Sequence, residues 1–231
     1  MPIKAPKQSG QSTTERKLLD KGQHPVRLVQ VIDLGLQKQR PFQGQEKKPA
    51  FEVYLTFEFP HSRIDVQGES RPMWKSKRFK LSSHEKSTCV KWYERLDPDN
   101  KFEGDWARLV NTSCAAFVSH DAGSGKNEGK IFDNISDVMP VMQGMEVPPL
   151  ENPSAVFDLS APDMEVWAKL PDWLQNIIKE NLQYDGSRLQ HAVEGTDRPV
   201  TASTEGADPS DIPADKVSRA EVADFDDDIP F

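Results

Sequence analysis

The chain has 231 residues, of which 36 % are hydrophobic, and it carries a formal net charge of −8. No stretch approaches the ~20 apolar residues that a membrane span requires, and no apolar run follows the first lysines as it would in a signal peptide. Two cysteines, Cys89 and Cys114, are too few for a disulfide framework or a metal cluster. We therefore expect a cytoplasmic protein without a membrane partner.

The charge is distributed unevenly along the chain. Residues 194–231 carry eleven acidic and three basic side chains, whereas residues 1–193 carry 26 of each sign. Within that neutral part, residues 1–90 have a net charge of +8 and residues 91–193 a net charge of −8. This asymmetry predicts a basic surface in the first part of the chain and an acidic tail beside it.

The first elements follow from composition and hydrophobic periodicity. Residues 1–22 are polar without any period and are expected to form a mobile N-terminal arm. Residues 25–36 are rich in leucine and β-branched residues, which predicts a long buried strand. Residues 38–49 then form a polar, basic loop. Residues 50–59 alternate between large apolar side chains and mostly polar ones, which is typical of a half-buried strand.

The alternation in residues 50–59 divides their side chains between two faces. One face is expected to enter the core, and it carries Phe51, Val53, Leu55, Phe57 and Phe59. The other face is expected to be exposed to solvent because most of its members are polar, and it carries Glu52, Tyr54, Thr56 and Glu58. Among the other aromatic residues, Phe79 is assigned to the core.

The middle of the chain adds another strand and a helix. Residues 60–72 are predicted to be a turn-rich connection with a short strand near 64–66, and residues 74–81 to be the next strand. The sequence S-x-x-E at 82–85 matches a capping box, which predicts a helix from there to about residue 96.

The element order then predicts the fold. Asp-Pro-Asp at 97–99 ends the helix, and two further strands near 113–120 and 130–138 are joined by a Gly-rich hairpin connection. A mainly β chain of five strands, with a helix between the third and the fourth, has the element order of the oligonucleotide/oligosaccharide-binding barrel, or OB-fold. We expect this five-stranded barrel to span residues 23–145.

A helical extension and a tail are predicted after the barrel. A Pro-rich connection at 140–153 leads into an extension over 146–190, whose helix begins near Pro171 and packs on the barrel. The apolar stripe of this helix is predicted to consist of Trp173, Leu174, Ile177 and Ile178. Residues 191–231 have the composition of a disordered acidic tail.

A basic and aromatic surface is the candidate binding site on the barrel. Single-strand binding without sequence preference needs cations along the phosphate backbone and rings on which bases stack, at roughly 1–3 kcal/mol per base. The second and third strands supply Tyr54, Trp74, Arg78 and Lys80. The first loop adds Arg40, Phe42, Lys47 and Lys48. The fifth strand adds Phe132, which faces away from the core if Ile131 and Ile135 point inwards.

The acidic tail ends in a segment with a different character. An acidic run usually keeps a tail solvated, but this run ends in apolar residues and a terminal Phe231, from which solvation gains nothing. A docking peptide gains from them, because the ring fills a pocket while the carboxylates meet a basic rim. The expected partner-binding residues are Asp224, Phe225, Asp226, Asp227, Asp228, Ile229, Pro230 and Phe231.

This tip, DFDDDIPF, closely resembles the C-terminal tip of bacterial single-stranded DNA-binding proteins, which recruits replication and repair enzymes. Segments between about residues 22 and 185 resemble a family of bacteriophage single-stranded DNA-binding proteins with an OB-fold. They are GQHPVRLVQVIDLG, FKLSSHEKS, the GK-x-F-x-N-I segment at 129–135, and the ending Phe157…Leu170-Pro-x-Trp173-Leu-Gln. The resemblance implies a protein that coats single-stranded DNA during phage replication or recombination and recruits partners through its tip.

No catalytic residue, metal site or cofactor is predicted. GSGK at 123–126 lacks the Ser or Thr that a phosphate-binding loop requires, and the five histidines have no metal-binding spacing. Two alternatives stay open. An adaptor of a replication complex would bind proteins and would show no salt-sensitive affinity for oligo-dT. A nuclease using the acidic residues of 91–193 would show metal-dependent cleavage of single strands.

Overall fold

The computed structural model describes residues 17–195 of the chain. Residues 1–16 of the predicted mobile arm and residues 196–231 of the predicted disordered tail, including the docking tip at 224–231, lie outside the described residues. The described part is mainly β, with a curled antiparallel sheet of five strands and a few short helices.

The strands and helices follow one another in a simple order. The strands are β1 (Gly22–Gln37), β2 (Ala50–Val66), β3 (Glu69–Lys80), β4 (Ser113–Ala122), β5 (Ile131–Met139) and β6 (Ala155–Phe157). The helices are α1 (Thr88–Leu96), α2 (Met164–Lys169), α3 (Asp172–Lys179) and α4 (Arg188–Glu194). In space the main strands lie in the order β3-β2-β1-β4-β5, and β6 pairs in parallel with β1.

The core fills the inner face of the curled sheet. Phe57 and Phe59 of β2 and Phe79 of β3 are buried there, as the alternation predicts. Trp92 of α1 lies against them, with its ring centroid 6.1 Å from that of Phe57 and 4.5 Å from that of Phe79. Helix α1 therefore closes one side of the core, with Trp92 and Leu96 buried there.

The core assignment of Phe51 is wrong. Phe51 shares the inward face with Phe57, but it is 48 % exposed. It is the second residue of β2, past the end of the packed part of the sheet, and its carbonyl oxygen accepts a hydrogen bond from the Leu81 backbone N–H at 2.7 Å. Alternation gives the face of a side chain, but whether the core extends that far depends on residues remote in the sequence.

The predicted turn-rich connection over 60–72 is only partly right: the short strand near 64–66 is confirmed, but it is the end of β2, which forms one long hairpin with β3. Pairing continues from Glu52 opposite Lys80 to Val66 opposite Glu69, with one irregularity after Phe59. The chain reverses at Gln67 and Gly68, whose φ angles of 57° and 86° are the two consecutive left-handed residues of a type I′ hairpin turn.

Helix α1 begins later than the capping-box pattern predicts. Its N-cap is Ser87, whose side-chain oxygen accepts a hydrogen bond from the Val90 backbone N–H at 3.2 Å. Ser82 instead lies in the preceding turn and accepts from the His84 backbone N–H. The helix ends at Leu96 before the Asp97 C-cap, as predicted.

Replacing Ser87 with alanine is expected to lower the free energy of unfolding by about 1 kcal/mol, since the orphan N–H of Val90 loses its acceptor. Urea denaturation measures this loss. Ser82→Ala is the matched control, because the capping box assigned the cap to that serine, and it should shift the unfolding midpoint much less. Equal losses in the two variants would contradict the observed cap.

Two segments that were expected to be mobile are partly fixed. Leu19, in the predicted arm, is buried in the core, and its backbone N–H donates to Asp133 Oδ2 at 3.0 Å. His120 Nε2 lies 2.7 Å from the Leu19 carbonyl oxygen. Helix α4 extends to Glu194, inside the predicted tail, and Leu189 of this helix is buried. The polar composition of these two segments did not predict that Leu19 and Leu189 would be buried.

The outer face of β1 and β2 is covered by the C-terminal extension. Leu34 of β1 and Phe157 of β6 lie in a second apolar cluster, separate from the core. Its other buried members are Ile32, Trp167, Leu170, Leu174, Ile178, Tyr184 and Leu189. The sheet is therefore buried on both faces at β1, which explains the continuous apolar run of that strand.

Candidate nucleic-acid interface

The register of β2 and β3 brings four predicted site residues onto one face. Tyr54 lies directly opposite Arg78, and Trp74 and Lys80 lie opposite Glu58 and Glu52. Residues that face each other in an antiparallel pair project to the same side of the sheet. Tyr54, Trp74, Arg78 and Lys80 thus share the outer face of the hairpin, which we call the β2–β3 face.

The sequence predicts that the polar residues of β2 on this face are exposed to solvent, but the structure buries them. Glu58 is only 1 % exposed, and Glu52 and Thr56 are buried as well. The Glu58 carboxylate accepts hydrogen bonds from the backbone N–H groups of Glu151 and Asn152 at 2.9 and 3.0 Å, and from Asn152 Nδ2 at 2.7 Å. The connection before β6 therefore lies over β2, and the exposed part of the face is displaced towards β3.

Tyr54 is half-buried because α3 and the second apolar cluster pack against it. Its ring contacts Trp173 of α3 edge-on, with 5.6 Å between centroids, and it packs against the second apolar cluster. Burial raises the pKa of the Tyr54 hydroxyl, and a hydrogen bond with Ser76 opposes that shift. Part of the Tyr54 ring is therefore exposed at the surface. Its neighbours Glu52 and Thr56 are buried, so they do not indicate that this side of the strand faces solvent.

The two cations of the face differ in their surroundings. Arg78 forms an ion pair with the buried carboxylate of Glu52, which also accepts a hydrogen bond from Gln39 Nε2 at 2.7 Å. Lys80 is half-buried, and the structure of residues 17–195 shows no ion pair for it. Lys80 therefore contributes net positive charge at the end of β3, whereas the charge of Arg78 is largely balanced.

Trp74 lies at the other end of the face and is 40 % exposed. The next residue, Lys75, points inwards and its Nζ lies 2.8 Å from Asp133 Oδ1, so β3 and β5 meet at this ion pair. Because side chains alternate along a strand, Trp74 and Phe132, which precede Lys75 and Asp133, both point outwards beside this meeting point. The structure thus brings an exposed indole close to the outward face of β5.

Phe132 faces away from the core, as expected, but the reason given for it is only half right. Ile135 is buried, whereas Ile131 is 57 % exposed at the first position of β5. The inward residue that brackets Phe132 is Asp133. A Cβ atom added to Gly123 would lie 2.8 Å from the Phe132 ring, so the half-buried ring lies over the backbone of the β4–β5 connection.

The first loop forms a small basic projection at the Lys80 end of β3. Phe42 and Gln45 exchange two backbone hydrogen bonds of 2.9 Å, and Lys47 Nζ lies 4.8 Å from the centroid of the Phe42 ring. Arg40 and Lys48 are exposed. The hydrogen bond from Gln39 to Glu52 fixes the start of the loop beside Arg78. Residues 38–49 contain four basic side chains and one acidic one.

One exposed ring was missed by the sequence interpretation. Trp173 was assigned to the buried stripe of its helix, but it is 41 % exposed and lies beside Tyr54. The helical period contains the signal: at about 100° per residue, Trp173 points roughly 100° from Leu174 and 140° from Ile178. Leu174 and Ile178 are the buried residues of α3, so Trp173 stands at the margin of the stripe.

Comparisons with protein-family models, curated proteins and solved structures returned no match. Within residues 17–195, no helix is long and apolar enough to span a membrane. The same residues contain no group of three or more His, Cys, Asp or Glu side chains arranged to hold a metal ion. Cys89 and Cys114 are both buried, and burial raises the pKa of the Cys114 thiol to about 12.

Proposed function

We propose that the chain is a single-stranded DNA-binding protein that coats DNA without sequence preference during phage replication or recombination in the host cytoplasm. The observation that carries this proposal is the register of β2 and β3, which places Trp74, Tyr54 and Lys80 on one face. Exposed rings accept stacked bases of any sequence, and cations next to them bind the phosphates.

An OB-fold barrel is the architecture that fits this function. The spatial order β3-β2-β1-β4-β5 leaves β3 and β5 as the two ends of the sheet, and the Lys75–Asp133 ion pair brings them together. Helix α1 follows β3 and packs in the core. This arrangement supports a small closed barrel with its binding surface on the outside of β2 and β3.

The distribution of rings and charges also supports a path for the strand. DNA would enter at the basic loop around Phe42, pass Lys80 and Arg78, and reach Trp74 and Phe132 near the meeting point of β3 and β5. At ~3.3 Å per residue, β3 between Lys80 and Trp74 is about 20 Å long. Several nucleotides can therefore contact the face at once.

The acidic tail is proposed to recruit replication or recombination proteins through residues 224–231 and to compete with DNA for the basic loop and Lys80. The start of the tail supports the second part of this proposal. Helix α4 ends at Glu194, and its Leu189 and Val193 pack in the cluster that also contacts Tyr54. The chain therefore leaves the described part close to the β2–β3 face.

The experiment that tests the proposal is a fluorescence titration with oligo-dT and with duplex DNA at two salt concentrations. We expect tighter binding to oligo-dT and an affinity that falls steeply with salt, because phosphate contacts release counterions. Equal affinity for duplex DNA would contradict the single-strand preference. No salt-sensitive binding at all would contradict the proposal and favour the adaptor that contacts proteins instead of DNA.

Lys80→Gln is expected to weaken oligo-dT binding and to reduce the slope of log K against log salt by about one, as for the loss of a single phosphate contact. Lys101→Gln is the matched control, since Lys101 is an exposed lysine paired with Asp99, beyond the end of α1. Its salt slope should equal that of the wild type. An unchanged salt slope in Lys80→Gln would show that Lys80 does not contact a phosphate of the DNA.

A further inference from the structure

Trp173 is exposed although its helix has another means of attachment. Leu174 and Ile178 of α3 are buried in the second apolar cluster. Trp173 projects to one side of that contact and remains 41 % exposed. The buried stripe of α3 is complete without this ring, so much of the indole surface is accessible to solvent beside Tyr54.

The position of α3 on the sheet is fixed by contacts with β1. Gln37 Nε2 donates to the Ile177 carbonyl oxygen at 3.0 Å, and the Leu182 backbone N–H donates to the Leu36 carbonyl oxygen at 2.9 Å. Gly35 permits the close approach, since a Cβ atom there would lie 2.7 Å from the side chain of Asn181. Trp173 is thus held on a docked element, which is the condition for a preorganised contact.

The neighbours of Trp173 are residues of the β2–β3 face. Its ring centroid lies 5.6 Å from that of Tyr54, and Tyr54 lies opposite Arg78 on β3. Trp173, Tyr54 and Arg78 therefore form a row that runs from α3 across β2 to β3. This row meets the line of Trp74, Arg78 and Lys80 along β3, so the exposed indole of α3 borders the same surface.

We propose that Trp173 is a base-stacking residue and that the C-terminal extension forms one wall of the DNA-binding surface. This inference rests on the proposed function. The indole supplies a wide apolar ring for a base, and Tyr54 holds its orientation from the side. The extension then does more than cover the outer face of the sheet, because it adds a ring that the barrel lacks.

The first test is the affinity of Trp173→Leu for oligo-dT. We expect roughly tenfold weaker binding, as for the loss of one stacked base, with an unchanged salt slope because no charge is removed. Leu182→Ala, another exposed apolar residue of the extension, is the matched control and should bind like the wild type. Unchanged affinity in Trp173→Leu, with the wild type binding normally, overturns the inference and leaves the proposed function standing.

Tryptophan fluorescence gives a second test that does not depend on how well Trp173→Leu folds. All five tryptophans lie within residues 17–195, and among them Trp74 and Trp173 have the most exposed side chains, at 40 % and 41 %. Oligo-dT should still quench the fluorescence of Trp74→Phe, and adding Trp173→Phe should remove most of that quenching. Undiminished quenching in the double variant overturns the inference. If oligo-dT does not bind the wild-type protein, the proposed function itself fails.

Discussion

Replacing Asp133 with alanine is expected to lower the free energy of unfolding by about 3–5 kcal/mol, the usual loss when one partner of a buried ion pair is removed. Asp133 is 2 % exposed. One of its carboxylate oxygens binds Lys75 Nζ at 2.8 Å, and the other accepts from the Leu19 backbone N–H at 3.0 Å. The substitution therefore removes the ion pair that joins β5 to β3 and the hydrogen bond that joins β5 to the segment before β1.

Urea denaturation measures this effect. Asp99→Ala is the control, because Asp99 also pairs with a lysine, Lys101, but both side chains are about two-thirds exposed. Its unfolding midpoint should stay close to that of the wild type. Adding Lys75→Met to Asp133→Ala should recover part of the loss, since a buried charge without its partner is replaced by an apolar side chain. A loss for Asp133→Ala as small as that of the control would show that β3 and β5 are not joined through this carboxylate.

Removing residues 196–231 is expected to strengthen oligo-dT binding about tenfold at low salt. The removed segment carries ten acidic and three basic side chains. The tethered tail competes with DNA at an effective concentration of ~1 mM, and we assume a dissociation constant of ~0.1 mM for its binding to the basic surface. The ratio of these two values gives the expected factor of about ten. The gain should nearly vanish at high salt, where charge interactions are screened.

A full-length variant with the tail carboxylates changed to amides separates charge from length. It should bind oligo-dT like the truncated protein if the negative charge competes with DNA. Binding that is unchanged or weaker at low salt after truncation would contradict competition. Recruitment of partners through residues 224–231 is a separate property, and it would survive that result.

Most of the inward face of the curled sheet follows from local rules. Phe57, Phe59 and Phe79 occupy the core because a period of two assigns a face to each side chain, and the strand positions around them agree with the sequence. The even spacing of Trp74, Arg78 and Lys80 on one strand is also sufficient to place all three on one face, as the structure has them. Local geometry is sufficient for these residues.

The outward half does not follow from local rules. Glu58 resembles a solvent-facing residue, yet the chain near Asn152 covers it, about ninety positions later in the sequence. A polar side chain can be buried when backbone groups distant in the sequence supply its hydrogen bonds. The residues next to it in the sequence do not predict those donors. The half-burial of Tyr54 by Trp173 and the pairing of Arg78 with Glu52 likewise depend on residues distant in the sequence.

The sequence by itself determines most of the strand positions, the inward face of the curled sheet, the charge asymmetry and the set of rings and cations available for a binding surface. Those properties depend on side-chain chemistry and on the short periods of strands and helices. Only the tertiary structure decides that Tyr54 lies opposite Arg78, that the extension buries half of their face, and that Trp173 stands at its border. Such relations arise from packing between segments distant in the chain, which periodicity within one segment cannot encode.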